Sequence, residues 1–90
     1  MADLKDIEFK ELLEAIVKID NIEDCRLFLD DLLTRQEAES LSQRVHAANL
    51  LLSGKTYVEV NEETKISSAT LARVNKCLKY GKGYNKILKK

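Results

Sequence analysis

The stretch KTYVEVNEETKISSATLARVNKCLK, residues 55–79, decides the fold class of this chain. It contains two helix-start signals, because Thr56 opens a Thr-x-x-Glu capping box and Ser67 or Ser68 can cap a second helix. Lys65–Ser67 lies between them and supplies a short turn. The stretch therefore predicts two short helices joined by a tight turn, the helix-turn-helix arrangement used to read DNA.

The second helix of this stretch is expected to run to about Tyr80 and to have two different faces. Leu71, Val74 and Leu78 recur at helical spacing on one face, which predicts packing against the first helix. The opposite face offers small side chains, which can approach base edges closely, and cations, which suit phosphates. This face consists of Ala69, Ala72, Lys76 and Lys79. A helical hairpin with a polar outer surface is the alternative interpretation.

Two groups of DNA-contacting residues are predicted from this arrangement. Base contact or close approach to bases is predicted for Ser67, Ser68, Ala69, Thr70 and Ala72. Phosphate contact is predicted for Lys55, Thr56, Arg73, Lys76 and Lys79. Arg73 could also contact a guanine, a small carboxylate ligand or solvent.

The rest of the chain also has helical periodicity and shows no strand pattern. Helices are predicted over Asp3–Ile19, over Ile22–Leu33 with Asn21 as cap, and from the Thr34–Glu37 capping box to about Ser53, where Gly54 ends the third helix. The predicted inner face of the third helix comprises Ala38, Leu41, Val45, Ala48, Leu51 and Leu52. After Gly81 and Gly83 the tail is expected to form one weak helical turn. The sequence thus predicts a single all-α domain of five to six short helices.

The charges of the chain are strongly divided although its net charge is zero. Residues 1–40 hold 5 Lys/Arg against 12 Asp/Glu, and residues 41–90 hold 10 against 3, so the halves carry −7 and +7. This division favours a basic face that meets a polyanion, with an ordinary solvated surface as the alternative. Because 90 residues bury a limited core, self-association is also expected.

Several other classes of protein are disfavoured. The sequence has no apolar run of membrane-spanning length and its acidic start does not resemble a signal peptide, so we expect a soluble cytoplasmic protein with no membrane partner. Cys25 and Cys77 lack Cys-x-x-Cys spacing and His46 is the only histidine, so no metal site is predicted. No nucleophile–base pattern or phosphate-binding glycine loop is present, so neither an enzyme nor a cofactor is expected.

Four segments together resemble the tryptophan repressor family. They are Leu32–Thr34, Ser40–Val45, Leu51–Gly54 and Ala69–Arg73. The chain is most similar to the YerC/YecD-type branch, whose signature resembles Gly54–Tyr57 followed by an acidic helix and then Cys77–Gly81. The resemblance covers roughly residues 25 to 84.

The resemblance implies an intertwined homodimer in which the helix-turn-helix heads project outward. Residues 1–54 would form the dimerisation helices, 55–80 the helix-turn-helix and 81–90 a basic tail. Two recognition helices would then enter successive major grooves of double-stranded DNA about 34 Å apart. The positions that line the family's corepressor site are matched by Thr34, Arg44, Thr70 and Arg73.

The chain also departs from the family pattern. Val74 stands where the family has a glycine, and its branched side chain would intrude on the space for an indole ring. Lys65 replaces the turn glycine, the segment between Gly54 and Ala69 is one residue shorter, and the C-terminal helix is nearly absent. We therefore predict a homodimeric repressor of a palindromic operator that does not depend on tryptophan. The alternatives are a helical protein-interaction module whose basic tail docks an acidic partner, and an amino-acid-sensing repressor.

Overall fold

The structure, a computed structural model, describes residues 7–89, and all regular elements among them are helical. This confirms the predicted fold class. The chain divides into two compact units, of which the first ends at Thr34 and the second begins at Arg35. The elements are a 3₁₀ turn at Ile7–Phe9, α1 at Lys10–Val17, α2 at Ile22–Leu32, α3 at Arg35–Leu52, α4 at Tyr57–Thr64, α5 at Ser68–Tyr80 and α6 at Gly83–Leu88.

Residues 7–34, the described part of the first unit, form helices but bury no side chain. Asn21 caps α2 as predicted, since its side-chain oxygen accepts a hydrogen bond from the Asp24 backbone N–H at 2.8 Å. None of the residues in α1 or α2 is buried. Ile22 is 87% exposed and Val17 is 82% exposed. The start predicted for the first helix at Asp3 lies outside the described residues.

The second unit contains the hydrophobic core. The buried cluster joins Ala47 of α3, Val60 of α4, Ile66 of the turn and Leu71 of α5, with Leu50 packed against it. Helices α4 and α5 both contact α3. The head made of α4 and α5 is therefore packed on α3 through apolar side chains, whose burial is the main favourable term in folding.

The first half of the predicted inner face of α3 has no apolar partner within the single chain. Ala38 is exposed, Leu41 is 42% exposed and Val45 is 41% exposed, whereas Ala47, which was not predicted, is fully buried. Helical spacing indicated which side of α3 is apolar but not how much of its length has a partner. In this chain the core contacts of α3 come from its C-terminal half.

The turn before α4 forms as predicted. Gly54 has a φ of 100°, and the Lys55 N–H donates to the Leu50 carbonyl at 3.1 Å, so α3 ends in a left-handed glycine. The Glu59 N–H donates to Thr56 Oγ1 at 3.2 Å, and the Thr56 N–H donates to Glu59 Oε1 at 2.9 Å. Both bonds of the predicted capping box are therefore present, and α4 begins at the expected residue.

The C-terminal segment is more ordered than predicted. Residues Gly83–Leu88 form α6, which contacts both α5 and α3. Asn85 Nδ2 donates to the Leu78 carbonyl at 2.8 Å and links α6 to the end of α5. Gly81 allows the intervening turn, because a Cβ at this position would lie 2.7 Å from the Cys77 carbonyl oxygen. The expectation of one weak turn missed these contacts, which join residues several positions apart.

Replacing Lys65 with glycine is expected to raise the free energy of unfolding by about 1 kcal/mol. Lys65 ends α4 with φ 61° and ψ 15°, and this left-handed conformation costs a residue with a Cβ roughly 1–2 kcal/mol. Glycine avoids that cost but loses more backbone entropy on folding, so the net gain is smaller. Urea unfolding measures the change. Lys65→Ala removes the same charge but keeps the Cβ, so it should not stabilise; equal stability of the two variants would contradict the prediction.

Candidate nucleic-acid interface

Three hydrogen bonds link α4 to the turn and to the start of α5. Asn61 Nδ2 donates to the Ile66 carbonyl at 3.3 Å, and the Tyr57 hydroxyl donates to the Ser68 carbonyl at 3.3 Å. Thr64 is buried in the turn, where its hydroxyl donates to the Val60 carbonyl at 2.8 Å and accepts from the Ile66 N–H at 3.4 Å. The two helices are thus joined by hydrogen bonds as well as by the core.

None of these three residues of α4 was predicted from the sequence to position α5. Asn and Thr are residue types that bond the backbone of nearby turns, so Asn61 and Thr64 carried a usable local signal. Tyr57 reaches across eleven positions of sequence to Ser68. No local rule predicts that contact, since it depends on how α4 and α5 pack.

The two predicted faces of α5 are separated in the structure. Leu71 is fully buried and Val74 is 1% exposed. The outer face is exposed at all four predicted positions, Ala69, Ala72, Lys76 and Lys79. A helix that is held by one face and exposes small residues and cations on the other can be presented to a groove without rearrangement.

Ser67, rather than Ser68, caps α5. Its Oγ accepts from the Thr70 N–H at 3.2 Å and donates to Thr70 Oγ1 at 2.9 Å. Ser67 is exposed and Thr70 is half-buried. These two hydroxyls therefore contribute first to starting the helix, and only the remaining Thr70 O–H hydrogen can be donated to another group. Ser68 is exposed beside them.

The cations predicted to contact phosphates are all exposed. They are Lys55, Arg73, Lys76 and Lys79, and none of them forms an ion pair within residues 7–89. Thr56 is exposed as well, and its side chain is hydrogen-bonded to Glu59 in the capping box. Lys55 lies near the Glu59 carboxylate, whereas Arg73, Lys76 and Lys79 are exposed cations without an ion-pair partner among the described residues.

The proposed corepressor residues lie in different parts of the chain. Arg44 on α3 and Arg73 on α5 are both exposed, and neither pairs with a carboxylate among the described residues. Thr34 precedes α3 at the end of the first unit. Val74 faces the core. The structure thus keeps both guanidinium groups open to a small anion.

The carboxylate of Glu59 lies at the start of α4 beside Lys55. Hydrogen bonds from the Thr56 backbone and then from its side chain hold the pKa of Glu59 below its usual value, and the charge of Lys55 acts in the same direction. A lowered pKa means that the folded state prefers the ionised carboxylate. Its contribution to stability is therefore complete above the unfolded-state pKa and is lost as the pH falls through the folded-state pKa.

Glu59→Gln is expected to be less stable than the wild type at pH 7, with a difference that disappears on acidification. Glutamine can still accept the capping bond from Thr56 but cannot ionise. The two proteins should converge as the pH falls from about 4.3 through the lower folded-state pKa of Glu59. Urea unfolding at pH 7, 5, 4 and 3 measures this; a difference that is independent of pH would contradict the assignment.

The described part of the chain contains neither a metal-binding group of side chains nor a membrane-spanning helix. Residues 7–89 contain no group of three or more His, Cys, Asp or Glu side chains that could hold a metal ion. Cys25 and Cys77 are half-buried free thiols. None of the described helices is long and apolar enough to cross a membrane.

Sequence comparison identifies the relatives of this chain. The family model described as Trp repressor protein matches residues 7–90. The Bacillus subtilis protein YerC, which is named as uncharacterized, is 41% identical over 78 residues, a match that covers 87% of this chain and 75% of YerC.

Solved structures agree with this result. The crystal structure of a candidate Trp repressor from Staphylococcus aureus has a TM-score of 0.85 at 40% identity and covers 94% of this chain and 86% of that one. A TrpR-like protein from Eubacterium eligens has a TM-score of 0.83 at 36% identity and covers 93% and 88% of the two chains. The predicted resemblance is therefore confirmed, and the chain belongs to the Trp repressor family, a family of DNA-binding regulators.

Proposed function

We propose that the protein is a sequence-specific DNA-binding regulator that acts as a homodimer and represses transcription by occupying a palindromic operator. The observation that carries this proposal is the division of α5 into a buried face, with Leu71 and Val74, and an exposed face of small residues and lysines. Family membership supports DNA binding and makes an enzymatic role unexpected.

A second observation supports the dimer. Large apolar side chains of α1, α2 and the first half of α3 are more than one-third exposed in the single chain, among them Leu12, Leu13, Ile16, Leu27, Leu32, Leu41 and Val45. Soluble monomers rarely expose so many large apolar side chains without a partner. A second copy that covers them would supply a core for the first unit, whose described residues have none, and it would place two recognition helices on one DNA duplex.

The proposal assigns separate roles to the exposed side chains of the head. Ser68, Ala69 and Ala72 approach base edges, with Ser67 and Thr70 beside them at the helix start. Backbone phosphates are contacted by Lys55, Thr56, Arg73, Lys76 and Lys79. Base contacts specify the sequence, whereas phosphate contacts fix the position and supply most of the salt-dependent affinity.

Selection of bound sequences from a randomised duplex pool at physiological salt tests the proposal. A palindromic consensus with half-sites one helical turn apart is expected. Ala72→Glu is a direct check, because a carboxylate on the outer face of α5 would repel the DNA and should abolish enrichment. An enriched sequence without two-fold symmetry would exclude the dimeric mode, and the absence of any consensus, with or without added amino acids, would favour the protein-interaction alternative.

Replacing Lys76 with glutamine is expected to weaken binding to operator and unrelated DNA alike and to reduce the salt slope by about 1 for each subunit bound, because one phosphate contact is lost. The slope of log K against log salt concentration measures this. Lys10→Gln removes an exposed lysine from α1 and should leave the slope unchanged. If Lys76→Gln has the same salt slope as the wild type, Lys76 does not contact the DNA backbone.

An amino-acid-sensing repressor is the second candidate, and the open guanidinium groups of Arg44 and Arg73 favour it. The two arginines lie on helices that contact each other, and Thr70 is close in sequence to the second one. Val74 argues against an indole ring as the ligand. Calorimetry with tryptophan and other amino acids distinguishes the candidates: no heat is expected for tryptophan, and a specific signal that Arg73→Gln removes would establish ligand sensing.

A further inference from the structure

Three cations lie in and beside helix α6, because Lys86 is within it and Lys82 and Lys89 flank its two ends. Their spacing of i, i+4, i+7 corresponds to an arc of about 60° at 3.6 residues per turn. All three side chains are exposed, and none forms an ion pair within the described part of the chain. We call these three residues the lysine stripe.

The opposite side of α6 holds this stripe in place. Tyr84, Asn85 and Leu88 are half-buried, and the Asn85 side chain bonds the Leu78 carbonyl at the end of α5. The helix contacts both α5 and α3 within the second unit. The stripe therefore belongs to the same compact unit as the recognition helix.

The lysine stripe follows directly after the cationic face of α5 in the chain. Lys79 is the last cation of that face, and Lys82 comes three positions later, so their Cα atoms are at most about 11 Å apart. No Asp or Glu follows Glu63 in the sequence. The positive charge therefore runs from α5 into α6 without an acidic residue between them in the chain.

Three exposed lysines suit the phosphates of a nucleic-acid backbone better than the surface of a protein. Lysine is depleted in protein–protein interfaces, whose centres are enriched in aromatic side chains, methionine and arginine. Lysine is, however, a common phosphate contact in complexes with DNA. The exposed apolar residue of α6, Ile87, is about 100° away from Lys86 around the helix and does not belong to the stripe.

We propose that the lysine stripe binds backbone phosphates of the duplex outside the half-site that α5 reads, so that each subunit covers more DNA than the helix-turn-helix alone. The inference rests on the proposed function, because it takes the outer face of α5 as the DNA-reading face. Its partner is the DNA backbone, so it adds affinity and positioning but no sequence preference.

The test compares two duplexes that carry the selected operator. One ends at the outer edges of the half-sites, and the other extends by about five base pairs, half a helical turn, on each side. Fluorescence anisotropy gives the salt slope for the wild type, for K82Q/K86Q/K89Q, for K82R/K86R/K89R and for K10Q/K18Q/R26Q, which removes three positive charges from the first unit. Circular dichroism checks that each variant keeps its helices.

On the extended duplex, the slope of log K against log salt concentration is expected to be smaller for the glutamine variant than for the wild type by up to about 5. A dimer carries six such lysines, and each phosphate contact contributes about 0.9 to the slope. The arginine variant and the first-unit control should keep the wild-type slope. On the short duplex the wild type and the glutamine variant should have similar slopes, because the flanking phosphates are missing.

Other outcomes separate the inference from the proposed function. A wild-type slope for the glutamine variant on the extended duplex overturns the inference, even if the operator is still recognised. The inference is also overturned if K82Q/K86Q/K89Q no longer binds poly-L-glutamate but keeps the wild-type salt slope for DNA. That result would indicate that the stripe binds an acidic protein. Equal wild-type affinity for operator and unrelated duplex overturns the proposed function, while the slope difference between variants still decides whether the stripe contacts phosphates.

Discussion

Leu71→Ala is expected to lower the free energy of unfolding by about 2–5 kcal/mol, which is the usual cost of truncating a fully buried leucine. Leu71 is completely buried and joins α5 to Val60 of α4 and Ala47 of α3. Truncation leaves a cavity at the point where three helices meet. The variant should therefore release α5 from the head and lose specific DNA binding together with stability.

Urea unfolding followed by circular dichroism measures the effect of Leu71→Ala. Ile87→Ala provides the matched control, because Ile87 is an aliphatic residue of similar size that is 79% exposed. Truncation of an exposed side chain should change stability by no more than about 0.5 kcal/mol. Similar losses in the two variants would mean that the cluster around Leu71 is not the main core of the head.

Leu41→Lys and Val45→Lys are each expected to weaken dimerisation by at least about 10-fold. The two residues lie one turn apart on α3 and are 42% and 41% exposed in the single chain. Covering this exposed part in a dimer would contribute about 0.6–1.3 kcal/mol per side chain, and each substitution removes two copies. A charged ammonium group in the interface would add a desolvation cost.

Sedimentation equilibrium measures the dissociation constant, and thermal unfolding over a range of concentrations tests whether stability depends on assembly. Val58→Lys is the matched control, since Val58 of α4 is an apolar residue that is 65% exposed but lies outside α1–α3. It should leave the dimer intact. A wild-type protein that is monomeric at all concentrations would contradict the proposed assembly.

Much of the helix-turn-helix could be predicted because its signals are local. The capping box links Thr56 to Glu59, and the Ser67 cap reaches Thr70, so both act over three residues. The left-handed Gly54 follows from the steric freedom of glycine alone. Likewise, a 3.6-residue period was sufficient to place Leu71 and Ala72 on different faces of α5.

The features that the sequence did not predict depend on contacts between distant residues. Ala38 and Ala47 are the same residue type on one helix, yet the first is exposed and the second is fully buried. The extent of α6 was underestimated because the Asn85–Leu78 bond and the contact with α3 are not visible in a seven-residue tail. Tyr57 was not predicted to position α5 for the same reason.

The sequence by itself determined the helices, their caps and the two faces of α5, together with the family, because each depends on neighbouring residues or on a recognisable order of residues. Only the tertiary structure decided which half of α3 carries the head, where α6 lies and which hydroxyls are already bonded in the turn. Those features depend on side chains that meet across the fold. The buried area that each apolar residue gains is a property of its partners and not of its own position in the chain.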